Sequence, residues 1–153
     1  MNWDAIGAVG EIAGALAVVI TLLFLSKQLR DTSKQLVVNS TNDANTLYSD
    51  AFWPIYNNQY NLHIWVQGQK DPSELSEEEF QIFLLFMTRL MAVFDSVVEH
   101  YEQGLFSEER FRNYAVFTIQ FLDSAGGKAW LESGQFQFTP AAQKAIKESR
   151  DAT

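Results

Sequence analysis

The chain has 153 residues, of which 47% are hydrophobic and 14% aromatic, and its 19 acidic and 11 basic residues give a net charge of −8. This charge argues against a nucleic-acid partner, because neutralising phosphates requires clustered lysine and arginine. The absence of cysteine excludes disulfides, thiol catalysis and thiolate metal sites.

The first predicted element is a membrane-spanning helix over the apolar run Ala5–Leu25. Its twenty-one residues at about 1.5 Å each cover roughly 31 Å, the thickness of a bilayer's hydrocarbon core. Glu11 lies inside the run, and a carboxylate at that depth usually faces a helix bundle or a wet cavity rather than lipid. Gly7, Gly10 and Gly14 let two helices approach closely in lipid. The run therefore predicts a membrane helix that packs against others and assembles a homo-oligomer.

The residues flanking this run predict its orientation. Asp4 precedes it, whereas Lys27 and Arg30 follow it closely, and basic residues favour the cytoplasmic side. We expect the N-terminus outside a bacterial inner membrane and the rest of the chain in the cytoplasm. Trp3, Lys27 and Arg30 would then anchor the helix at the two membrane interfaces. A cleaved signal peptide is disfavoured, because no basic residue precedes the run and no small-residue cleavage site follows it.

Helical character continues beyond the membrane segment, residues 1–26, into a juxtamembrane extension at residues 27–52. Small or polar residues recur along the helix at alternating spacings of four and three, among them Glu11, Thr21 and Gln28. If several copies associate, this line would face a common axis and these three residues would line a pore. The alternative is that the line arises by chance in a long helix.

Residues 53–153 are predicted to form a small cytoplasmic helical domain. Trp53-Pro54 marks a kink or the start of a helix, and a polar helix is expected to follow as far as Gly68. Ser76-Glu77-Glu78-Glu79 has the pattern of a capping box and opens a helix at about 77–103.

This helix over 77–103 is apolar on most sides, with a narrow polar stripe that includes Gln81, Thr88 and Asp95. Such a helix belongs at the centre of its domain or in an oligomer interface. A second membrane span is the alternative, but Arg89 and Asp95 would each cost about 2.5–3.5 kcal/mol in the bilayer.

Three further positions predict the remaining helix boundaries. Gly104 is expected to end the helix over 77–103, and Ser107 to begin the next, which Gly126-Gly127 would break. Thr139-Pro140 has the pattern of a final helix start. No strand pattern of useful length occurs, so the predicted fold class is all-α: an N-terminal transmembrane helix continuing into a long juxtamembrane helix, then a small helical bundle.

The residues that could carry chemistry match no catalytic pattern. His63 and His100 are the only histidines, and neither has the spacing of a zinc or di-iron site. No nucleophile elbow, phosphate loop or dinucleotide fingerprint occurs. We therefore expect no enzyme activity, no cofactor and no metal. The many aromatic residues would fill a helical core or, alternatively, form a hydrophobic groove for a partner helix or lipid tail.

The N-terminal motif resembles that of a widespread group of uncharacterised bacterial single-pass membrane proteins. That group has a Trp followed by a Gly-Glu-Ile-x-Gly-Ala membrane motif, and a Gly-Leu turn and a Trp nearer the C-terminus. The matching residues here are Trp3, Gly10-Glu11-Ile12-Ala13-Gly14-Ala15, Thr21-Leu22, Leu25, Gln28-Leu29-Arg30, Gly104-Leu105 and Trp130. The resemblance implies a bacterial membrane protein and no particular activity.

Two functions are compatible with these patterns. The first is a non-enzymatic, membrane-tethered scaffold or accessory subunit that self-assembles through its membrane helix. Its partners would be membrane lipid, copies of itself and a protein in the cytoplasm. The second is a homo-oligomeric ion-permeable pore with Glu11 lining the axis, since rings of glutamate select cations. The sequence favours the scaffold.

Overall fold

The computed structural model describes residues 3–151, and of residues 3–6 and 9 the backbone alone. This part of the chain is all-α, as predicted, and contains no strand. The chain consists of two compact units, Met1–Val38 and Asn39–Thr153. The six helices are α1 (Trp3–Tyr56), α2 (Gln59–Lys70), α3 (Glu77–Glu102), α4 (Glu108–Leu122), α5 (Ala125–Ser133) and α6 (Pro140–Asp151), with a short 3₁₀ helix at Pro72–Glu74.

The first unit consists of the N-terminal part of α1, whose apolar side chains are exposed on every side. Ile12, Val18 and Phe24 are each about 60% exposed, although they point in three different directions around the helix. The helix is long and apolar enough to cross a membrane, and none of its most apolar stretch is buried by the rest of the chain. These properties are consistent with the predicted membrane anchor.

The second unit begins at Asn39, upstream of the boundary expected at residue 53. Ala44, Tyr48, Phe52 and Ile55 of α1 are buried in its core. The end of the segment predicted as a juxtamembrane extension is therefore part of the helical domain. α1 also continues through Pro54 to Tyr56, so the next helix does not begin at Trp53-Pro54.

The start of α2 is set by Asn58 instead. The Asn58 side chain accepts hydrogen bonds from the backbone N–H groups of Tyr60 and Asn61, which satisfies two donors that a helix start leaves free. Asn61 Nδ2 in turn donates to the Pro54 carbonyl at 2.8 Å. This pair of contacts fixes the turn between α1 and α2.

α3 lies at the centre of the second unit, one of the two positions predicted for it. Ser76 and Glu79 form the predicted capping box, and half of the helix's most apolar stretch is buried. α3 passes the same length and composition test for a membrane span as α1, but a core helix also passes it. Its buried side chains are Phe83, Leu84, Met87, Leu90, Met91, Val93, Phe94, Val97 and Val98.

The polar stripe of α3 is covered by the C-terminal part of the chain. Trp130 Nε1 donates to Thr88 Oγ1 at 3.0 Å. Asp95 Oδ1 accepts from the Thr139 backbone N–H at 3.1 Å and from its hydroxyl at 2.9 Å. Because Thr139 also caps α6 by accepting from the Ala142 N–H, Asp95 holds the start of α6 against α3.

The helix boundaries predicted from Gly104, Ser107 and Thr139-Pro140 are confirmed. Gly104 has a φ of 74° just after α3, the left-handed conformation that favours glycine at a helix end. Ser107 accepts from the Arg110 N–H at the start of α4.

Two expectations about glycine are wrong. α2 continues beyond Gly68 to Lys70, and Gly126-Gly127 lies inside α5, after α4 has already ended at Leu122. All three glycines are buried and serve close packing. A Cβ added to Gly126 would overlap the Gly68 carbonyl, and one added to Gly68 would overlap the Phe83 ring.

Candidate functional site

The main candidate site is a groove between α1 and α4 in the second unit, which we call the aromatic groove. Its volume of about 570 Å³ lies within the range typical of ligand pockets. Three tyrosines, two phenylalanines and one tryptophan dominate its surface. The lining residues are Asn45, Tyr48, Ser49, Phe52, Trp53, Tyr56, Asn113, Tyr114 and Phe117.

Ring contacts hold the two helices of the groove together. The Tyr48 and Tyr114 rings stack in parallel with centroids 5.1 Å apart. Tyr114 Oη donates to Asn45 Oδ1 at 2.7 Å, and the Phe52 and Phe117 rings meet edge to face at 6.0 Å. Because both helices contribute rings and a hydrogen bond, this side of the groove is preformed.

The part of the groove formed by the last turn of α1 is exposed. Trp53 is 62% exposed and Tyr56 is 64% exposed, although both belong to the residue types with the largest apolar area. Tyr and Trp are enriched at protein interfaces, where they supply an apolar body and a polar tip. Exposed aromatic side chains around a preformed groove are typical of a binding surface.

Among the residues that the structure describes, no charged side chain lines the aromatic groove. Burial raises the pKa of the Tyr48 phenol well above its ordinary value, and the neighbouring Thr118 hydroxyl opposes part of that rise. Burial also raises the pKa of Tyr114, while the positive charge of Arg110 acts in the opposite direction. Both phenols are therefore neutral at physiological pH, and the polar groups of the groove are uncharged amides, hydroxyls and the indole N–H of Trp53.

A buried pair of hydroxyls lies next to the groove. Within residues 3–151, neither Tyr48 Oη nor Thr118 Oγ1 has a hydrogen-bond partner of normal geometry, although the two are close enough to influence one another. Buried polar groups are usually paired. Apolar packing alone therefore does not explain why these two hydroxyls lie in the contact between α1 and α4.

The residues predicted to act in the membrane all lie on the first unit. A Cβ added to Gly7, Gly10 or Gly14 would meet nothing within 4 Å, so this side of α1 is open to another helix. Glu11 is exposed beside it. The side chain of Trp3, predicted as an interface anchor, lies outside the described part of the chain.

The other predicted residues of the first unit are also exposed. Thr21 Oγ1 donates to the Ala17 carbonyl at 2.8 Å, so its hydroxyl is satisfied within its own helix and does not require an aqueous axis. Gln28 lines a shallow depression on α1, and Lys27 and Arg30 extend into solvent nearby.

The two histidines lie far from each other in sequence and differ in environment. His63 is exposed on α2, whereas His100 is partly buried and stacks on Phe106 with ring centroids 6.1 Å apart. Across the described residues, no group of three or more His, Asp or Glu side chains could hold a metal ion.

The sequence offered a hydrophobic groove only as the alternative to a filled helical core, and it did not identify the residues of the groove. One signal was present: the segment from Ala51 to Gln69 contains no Asp, Glu, Lys or Arg, although a fifth of the chain is charged. It is rich instead in aromatic residues, Asn and Gln. Depletion of charge together with aromatic enrichment is the composition of an interface core, and Phe52, Trp53 and Tyr56 come from this segment.

Comparison with known proteins gives no match, whether to a family model, to a curated protein or to a solved structure. The features that bear on function are therefore those of the chain itself, namely the exposed apolar helix of the first unit and the aromatic groove of the second.

Proposed function

We propose that this protein is a non-enzymatic, membrane-tethered scaffold or accessory subunit that binds a partner protein through the aromatic groove. The observation that carries the proposal is the groove itself, which is preformed on the Tyr48–Tyr114 side and exposed at Trp53 and Tyr56. Aromatic side chains in an uncharged pocket are the usual energetic centre of a protein interface.

The apolar part of α1 supports the tether. An apolar stretch of helix that no described part of the chain buries is stable in lipid, where its side chains avoid water. The membrane proposed is the bacterial inner membrane, as the resemblance of the N-terminal motif implies. Lys27 and Arg30 follow the apolar stretch and favour a cytoplasmic location for the helical unit.

Site-specific photo-crosslinking tests the partner proposal in living cells. Replacing Tyr56 by the photoreactive p-benzoylphenylalanine should give one discrete adduct with a different protein, because this position lies at the exposed edge of the groove. The same replacement of Val66, which is 57% exposed on α2, is the matched control and should give none. Adding Trp53→Ala should reduce the Tyr56 adduct at least about fivefold, the effect of losing roughly 1 kcal/mol of binding energy.

An adduct that forms equally from Tyr56 and Val66 would contradict a partner at the aromatic groove. So would a Tyr56 adduct whose yield Trp53→Ala leaves unchanged, because Trp53 supplies much of the groove's exposed aromatic area.

Self-assembly through the first unit is the second part of the proposal. Gly7, Gly10 and Gly14 leave one side of α1 open to close approach, and Glu11 needs a polar neighbour in lipid. Glu11→Leu is therefore expected to lower the subunit number measured by native mass spectrometry in lipid nanodiscs. Ile20→Leu, an apolar exchange at another exposed position, should leave the number unchanged. A wild-type monomer would contradict self-assembly without affecting the groove.

A further inference from the structure

We propose that the aromatic groove receives a basic segment of the partner and seats an arginine side chain against the exposed rings of Trp53 and Tyr56. This inference rests on the proposed function and adds the chemistry of the partner.

The distribution of charge favours a cationic occupant. The three acidic and three basic residues of the first unit cancel, so the second unit carries the whole net charge of −8. A protein unit with an excess of one sign of charge attracts the opposite charge and accelerates its encounter. The cancelling residues are Asp4, Glu11 and Asp31 with Lys27, Arg30 and Lys34.

The lining of the groove suits a cation more than an anion. No lysine or arginine among the described residues lines it. The protein therefore has no cationic side chain of its own against the ring faces, and no group there that would form an ion pair with a carboxylate of a ligand. The face of an aromatic ring carries negative electrostatic potential and attracts a cation within about 6 Å of its centre. Trp53 and Tyr56 are the rings with the largest exposed fraction in the groove.

Arginine fits the polar groups of the groove as well as its rings. Its planar guanidinium stacks on aromatic faces and carries five N–H donors but no acceptor. The side chains of Ser49 and Asn113 are exposed in the lining, and each offers an oxygen that can accept from those donors. A purely aliphatic side chain would cover the rings but offer these oxygens no hydrogen-bond donor.

One nearby charge opposes a cation. Arg110 is close enough to Tyr114 to act against the burial that raises the pKa of this phenol, but it is not part of the groove lining. Removing its charge should therefore strengthen the binding of an arginine, whereas removing Trp53 or Tyr56 should weaken it. These opposite effects distinguish stacking in the groove from general attraction to an acidic protein.

Calorimetric titration of the full chain in a neutral detergent tests this. The probes are twelve-residue peptides with one to three arginines at varied spacings in a glycine, alanine and leucine background. Each peptide has a twin in which citrulline, a neutral side chain of the same shape, replaces arginine. At least one arginine peptide is expected to bind about tenfold more tightly than its twin. Trp53→Ala and Tyr56→Ala should remove this preference, Arg110→Gln should increase it, and Val66→Ala should leave it unchanged.

The results separate this inference from the proposed function. If citrulline peptides bind as tightly as arginine peptides, or if no peptide binds although the Tyr56 crosslink forms, the arginine is wrong and the groove remains a protein-binding site. If an arginine preference survives Trp53→Ala and Tyr56→Ala, the cation binds elsewhere and the inference is overturned. If neither the crosslink nor any peptide binding is found, both are overturned.

Discussion

Gly126→Ala is expected to destabilise the helical unit by about 3 kcal/mol, the upper part of the range for overpacked cores. The new Cβ would overlap the Gly68 carbonyl and the Phe83 ring. A flexible side chain could rotate away, but the Gly68 carbonyl belongs to the backbone of α2 and is held by that helix. α2 and α5 would have to separate to accommodate the methyl group, which opens the packed core around Phe83.

Urea denaturation followed by tryptophan fluorescence measures this effect, because Trp65 and Trp130 are buried in the same unit. Glu132→Ala is the matched control, since Glu132 is exposed on α5 and surface substitutions usually change stability by less than about 0.5 kcal/mol. If Gly126→Ala were as stable as the control, the close contact between α2 and α5 would not exist.

The helix boundaries could be predicted from the sequence because capping is local. The side chains of Ser76, Ser107 and Thr139 each accept a hydrogen bond from a backbone N–H three residues later. Both partners of each bond therefore lie close together in the sequence. The same reasoning located the end of α3 at Gly104, where a left-handed backbone conformation requires glycine or a close substitute.

The expectation that Gly68 and Gly126-Gly127 end helices is wrong because a glycine can either end a helix or allow another helix to approach it closely. The local sequence is the same in both cases. Only the neighbour decides, and the neighbour of Gly126 is Gly68, far away in the chain. Tertiary contact here overrides the weak local preference of glycine for turns.

The residues of the aromatic groove could not be predicted from the sequence for a similar reason. Its stacked pair, Tyr48 and Tyr114, comes from α1 and α4, which are separated in the chain by α2 and α3, and no periodicity connects them. The polar stripe of α3 was visible as a pattern, but its purpose depends on what covers it. Trp130 and Thr139 hydrogen-bond to Thr88 and Asp95, which explains why a largely apolar core helix carries polar residues seven apart.

Trp130→Ala is expected to cost about 3–5 kcal/mol in the free energy of unfolding, the range for removing a large buried aromatic side chain. Trp130 is only 1% exposed, and its ring contacts those of Phe136 and Phe138 with centroids about 6 Å away. The cavity left behind would lie between α3 and the segment before α6. Urea denaturation followed by tryptophan fluorescence measures the loss, because Trp65 is still buried in the same unit.

Two further variants divide this loss between packing and hydrogen bonding. Trp130→Phe keeps much of the ring but removes the Nε1–H group, so the partly buried Thr88 Oγ1 loses its donor. A buried polar group left unpaired costs about 1–3 kcal/mol, so we expect the lower end of that range here. Adding Thr88→Val removes the unpaired oxygen and should restore part of that stability. If Trp130→Phe costs much less than Trp130→Ala and adding Thr88→Val restores nothing, ring volume and not the hydrogen bond determines how the C-terminal segment is held. Recovery with Thr88→Val would instead show that the polar stripe determines where the C-terminal segment packs along α3. On a wholly apolar α3 surface, the same aromatic cluster could pack at more than one position.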